Sequence, residues 1–172
     1  GIPGAIAGDK DTAAEFDGTR AISVGPIYRD KLPPGSPLIC LSDESFSVEA
    51  WVRPSSVGSS PRWILTHDDG SGSDFLLGVT SEAKFTFAVR DMASKAVGKT
   101  IVKQSDLDAN RWFHVVGVQD AVSGKIHLSV NGVKESEVAL KGTAVSTPST
   151  LQIGSRGRTR VDSGGYLIDS GF

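Results

Sequence analysis

Residues 45–54 read Ser-Phe-Ser-Val-Glu-Ala-Trp-Val-Arg-Pro. Phe46, Val48, Ala50 and Val52 share one parity, and Ser47, Glu49, Trp51 and Arg53 share the other. A period of two is that of a β-strand with one face in a core. Pro54 has no N–H to give to a ladder, so the strand is predicted to end there.

Similar runs flank this strand on both sides. Upstream, Ala13–Phe16 and Ala21–Val24 read as short strands around the turn signal Asp17-Gly18-Thr19. Residues 1–11 read as a loose lead-in. The stretch 25–37 carries Pro26, Pro33, Pro34 and Pro37 and reads as a surface loop. Downstream, strands are predicted at Trp63–Thr66, Phe75–Thr80, Lys84–Arg90, Lys99–Lys103, Trp112–Gln119, Lys125–Val130, Val133–Leu140, Thr150–Gly154 and Tyr166–Asp169. A single helical turn fits Asp106–Asn110. Asn131-Gly132 supplies the positive φ angles of a two-residue type I′ hairpin turn. About a dozen short strands and almost no helix predict an all-β, two-sheet antiparallel sandwich.

The 172 residues suit a single domain spanning 1–172. A net charge of −2 excludes an electrostatic drive toward nucleic acid, and no apolar run approaches the ~20 residues of a membrane span. The opening residues lack the basic start and apolar centre of a signal peptide, so the chain reads as a mature product or an excised domain. Cys40 is the only cysteine, which rules out an internal disulfide; set among Leu38, Ile39 and Leu41, it is predicted to be a small buried hydrophobe.

Taken in order, the segments resemble the laminin G-like jelly-roll domains of the concanavalin A-like lectin/glucanase superfamily. Phe16-Asp17-Gly18 resembles an early Phe-Asp-Gly, and residues 46–54 resemble Phe-Thr-Val-Glu-Ala-Trp-Val-Lys-Pro. Arg111–Gly117 is similar to a Trp-His-His-Val-Ala strand, followed by 126–132 ending in Val-Asn-Gly. Leu151–Gly154 and Tyr166–Asp169 resemble the closing Leu-x-Ile-Gly and Phe-x-Gly-x-Ile-Asp pieces. The resemblance covers roughly residues 3–170. It implies an extracellular or cell-surface recognition module that binds a glycan at one rim or on the concave sheet face, as part of a larger chain or assembly. A structural or adhesion domain that docks on protein is the alternative. The resemblance also implies a strand beyond Asp169 that this chain omits or another chain supplies. A structural calcium ion is implied at Asp17, Gly18 and Asp169.

Some members of the superfamily are polysaccharide hydrolases or lyases. The hydrolases place carboxylates on alternate positions of one strand, but Glu49 is the only acidic residue in the 45–54 strand. The domain is therefore expected not to be an enzyme. His67, His114 and His127 are widely separated and match no transition-metal spacing. Residues 67–74 hold three carboxylates and depart from the EF-hand pattern, so they read as a solvated hairpin loop. Trp51 and Trp112 fall at positions that pack in the family, which leaves Trp63, after the Ser/Gly/Pro-rich stretch 55–61, as the aromatic ligand candidate. Arg156, Arg158 and Arg160 alternate and would project to one side of an extended loop, a geometry suited to an acidic glycan.

Overall fold

The computed structural model describes residues 2–17, 21–26, 44–56, 60–68, 73–90, 97–101, 107–140, 150–157 and 168–169. Those residues contain no helix and form fourteen strands: β1 (Ile2–Pro3), β2 (Thr12–Ala13), β3 (Ile22–Pro26), β4 (Phe46–Val52), β5 (Arg62–Asp68), β6 (Ser73–Val79) and β7 (Phe85–Arg90), then β8 (Val97–Ile101), β9 (Phe113–Asp120), β10 (Lys125–Val130), β11 (Val133–Ala139), β12 (Thr150–Ile153), β13 (Arg156–Gly157) and β14 (Ile168–Asp169). A four-stranded sheet runs β11-β10-β9-β4 and a six-stranded sheet runs β3-β12-β5-β6-β7-β8. Every pairing is antiparallel. The all-β sandwich expected from the sequence is the fold observed.

The alternation that defines β4 places Val52 in the core, with Phe46, Val48 and Ala50 packed against it. Its neighbour β9 alternates strictly, burying Phe113, Val115, Gly117 and Gln119. From the opposite sheet come Phe75, Leu77, Val79, Phe85, Phe87 and Val89. The layers meet through aromatic contacts, with Phe46 and Phe75 centroids 5.5 Å apart and Phe85 and Phe113 5.4 Å apart. Such tilted and edge-on pairs add to the burial of the rings themselves.

The two sheets differ on the side away from the core. Thr66, Leu76, Thr86 and Ala88 lie on the far side of the six-stranded sheet and are all buried. Periodicity alone assigns Thr86 and Ala88 to an open face, whereas β7 is buried on both. The four-stranded sheet instead presents Ser47, Glu49 and Trp51 to solvent.

Several local expectations change. The lead-in 1–11 contributes β1, which pairs Ile2 with Ala13 and Pro3 with Thr12. Arg156-Gly157, expected in a loop, is extended and pairs with Ile168-Asp169. His67 and Asp74, assigned to a solvated loop, lie in β5 and β6 and are each 1% exposed, with His67 Nδ1 donating to Asp74 Oδ2 at 3.1 Å. The start of the helical turn expected at Asp106–Asn110 lies outside the described residues; residues 108–111 form a tight turn closed by Arg111 N donating to Asp108 O. Cys40 and its neighbours lie outside the described residues, as does much of the stretch 25–37.

Asn131 and Gly132 stand at φ 50° and 81° between the paired Val130 and Val133, the expected two-residue hairpin turn. A β-branched residue at position 132 costs about 1–2 kcal/mol through that backbone angle. Gly132→Val is therefore expected to lower the melting temperature by about 2–8 °C. An unchanged melt contradicts this turn.

Candidate functional site

Pro54, two residues past the end of β4, turns its carbonyl toward the approach to β9, where it accepts a 2.6 Å hydrogen bond from Asn110 N. Asn110 holds φ 69°, a left-handed conformation that asparagine tolerates better than most residues. The register pairs Val52 with Phe113, so Arg53 and Trp112 are the next residues out on adjacent strands. The Arg53 guanidinium lies over the Trp112 ring, 5.4 Å from its centroid. Arg62, at the start of β5, donates to both the carbonyl and the hydroxyl of Ser56, the latter at 3.0 Å. The ribbon β1–β2 and the residues after it close the other side.

These segments surround a cleft of about 200 Å³ lined by Ile2, Ala14, Glu15, Phe16, Arg53, Ser55, Arg62, Asn110 and Trp112. At ~30 Å³ per water that is room for six or seven waters, the scale of one sugar ring. Its lining combines an indole wall with guanidinium, amide, hydroxyl and carboxylate groups. Two guanidiniums against one carboxylate leave a net positive charge. Among the described residues no carboxylate forms an ion pair with Arg53 or Arg62.

The open face of the four-stranded sheet is a second exposed feature. Trp51 is 53% exposed and stacks on His114, with centroids 4.9 Å apart. His114 Nε2 in turn donates to Glu49 Oε2 at 3.1 Å. The cations nearby are already engaged: Lys125 and Lys134 reach Glu137 at 2.8 and 2.9 Å. Those two hydrogen bonds hold the Glu137 carboxyl down at about 2, so it stays ionised and keeps both ammonium groups occupied.

Trp63, the aromatic expected to bind ligand, is half-buried on β5 and pairs with Gly78, where an added Cβ would come 2.8 Å from its ring. It does not line the cleft. Arg156 lies in β13, opposite Asp169; Arg158 and Arg160 lie outside the described residues, as does the Arg156 side chain. The Phe16 ring covers Gly154, where a Cβ would sit 2.3 Å from it, and two residues later Arg156 pairs with Asp169. Asp17, directly after Phe16, is exposed. Gly18 and the Asp169 side chain lie outside the described residues. Trp112, expected to pack, lines the cleft, and Arg53 and Arg62 join it without a signal of their own in the sequence; the one pointer is that a Trp and an Arg flank strands that pair.

Two antiparallel sheets packed face to face define a jelly-roll-like β-sandwich. The chain belongs to the concanavalin A-like lectin/glucanases superfamily, matching its laminin G-type model over residues 31–169. No curated protein matches the chain in sequence. Among solved structures, mouse laminin α1 chain domains LG4-5 superimpose with a TM-score of 0.55 at 16% identity, over 94% of this chain and 41% of that one. The Ruminococcus gnavus IT-sialidase CBM40 bound to α2,3-sialyllactose gives 0.58 at 12% identity, over 76% and 71%. A heptameric SAP-like pentraxin from Limulus polyphemus gives 0.50 at 14% identity; this chain spans 75% of its own length and 60% of the pentraxin's.

Proposed function

We propose that this domain is a non-catalytic carbohydrate-recognition module of a secreted or surface protein, and that it takes sugar in the rim cleft. The observation that carries this reading is the pairing, in a cleft the size of one sugar ring, of the Trp112 indole with several hydrogen-bonding side chains. A sugar offers apolar C–H faces and a rim of hydroxyls, and sites of this kind answer with an aromatic wall and a few placed polar groups. Glycosidic hydrolysis calls for two carboxyl groups, ~5–5.5 Å or ~6.5–9.5 Å apart by mechanism. Among the described residues the lining holds one carboxylate, that of Glu15, which supports holding a sugar rather than cleaving one. The likeness in fold to a module bound to sialyllactose supports the same reading. A glycan array probed with the whole chain tests it: binding to defined glycans supports the proposal, and a blank array contradicts it.

Docking on protein is the second reading, favoured by Trp51 standing out from an open sheet face. A partner captured by cross-linking at that face, with a blank array, selects it.

A structural calcium ion completes the proposal, held by Asp17, a main-chain oxygen of Gly18 and Asp169, with further oxygens filling a shell of six to eight. It would clamp the two ends already joined through Phe16 and Gly154. Calcium at a hundredfold excess over its Kd adds about 2.7 kcal/mol, which raises the melting temperature by about 5–10 °C relative to EDTA. Coincident melts in calcium and EDTA contradict the ion.

A further inference from the structure

We infer that the cleft selects sugars bearing a carboxylate, with Arg53 as the group that reads the charge. This rests on the proposed sugar-binding function. The two lysines of the four-stranded sheet's open face are both hydrogen-bonded to Glu137, whereas the cleft guanidiniums have no carboxylate partner among the described residues. Arg62 spends two donors on Ser56, which fixes its position. Arg53 instead rests over the Trp112 ring, which holds the guanidinium in place while its N–H donors make no hydrogen bond among the described residues. A planar guanidinium held in this way matches a carboxylate with two parallel N–H···O bonds. Glu15, on the same lining, disfavours a bare anion and accepts from hydroxyls. A ligand with one carboxylate and several hydroxyls satisfies both groups together; the chemistry is that of a uronate or a sialate.

The test uses the full chain and measures affinity for glucuronate and sialate glycosides, for the methyl ester of each, and for a neutral glucoside. The acids are expected to bind ~10–100-fold more tightly than their esters, and the difference is expected to shrink as salt is raised. Whichever acid binds more tightly identifies the source. Arg53→Gln is expected to remove that preference, so that each acid and its ester bind equally, and Arg53→Lys to restore part of it. Arg156→Gln combined with Arg158→Gln and Arg160→Gln is expected to leave the preference intact. Acids and esters bound equally by the unmodified chain overturn the inference and leave sugar recognition standing. Loss of the preference in the triple variant but not in Arg53→Gln overturns it in favour of the 156–160 segment. Silence toward every sugar overturns the proposed function, and this inference with it.

Discussion

Gly117→Ala is expected to destabilise the domain by about 2–3 kcal/mol and to lower its melting temperature by about 4–12 °C. The added methyl would lie 2.4 Å from the Phe87 ring, which is fully buried and makes edge contact with Phe46. Nothing flexible can yield there: the ring belongs to the opposite sheet and is enclosed by core neighbours. A missing side chain on β9 is thus what allows the sheets to approach. The contact also supplies its own control. Phe87→Leu leaves a cavity when made alone, but should lose less in the Gly117→Ala background, because the new methyl fills part of the space. Strictly additive losses would mean that the two residues do not face each other.

Trp112→Ala is expected to weaken sugar binding by ~30-fold, about 2 kcal/mol, the loss characteristic of a central aromatic anchor. The substitution removes the apolar wall of the cleft and the surface on which Arg53 rests. Trp112→Phe keeps a ring and should recover part of the affinity. Trp112 is half-buried beside Phe113, so melts of both variants accompany the titrations. A folded Trp112→Ala domain that binds sugar as tightly as the parent would place recognition elsewhere.

The difference between what the sequence discloses and what it hides follows from what periodicity measures. Alternation reports which way a side chain faces within its own strand, and it assigned Phe46, Val48, Ala50 and Val52 to the core face. Local backbone chemistry is equally legible, as the Asn131-Gly132 turn shows. Neighbours across strands are not. Arg53 and Trp112 are 59 residues apart and meet only because Val52 pairs with Phe113, a register that neither segment encodes alone. Arg62 joins them through Ser56, and Glu15 arrives with a two-residue ribbon too short to show any period. The open or covered state of a face is hidden for the same reason: Thr86 and Ala88 alternate like solvent-facing residues, yet both are buried. Hydrophilic loops mislead similarly. His67 and Asp74 satisfy each other across a hairpin, and that pairing lets two polar side chains enter the interior.

The three tryptophans occupy three distinct places: Trp51 on the open face of the four-stranded sheet, Trp63 over Gly78 on the six-stranded sheet, and Trp112 in the cleft. Each indole N–H gives its own resonance, assignable with single Trp→Phe variants, so one titration reports on all three positions. On addition of the tightest-binding glycan from the array, the Trp112 signal is predicted to move in a saturable way while those of Trp51 and Trp63 stay fixed. A shift at Trp51 or Trp63 with Trp112 unmoved would contradict recognition at the rim cleft.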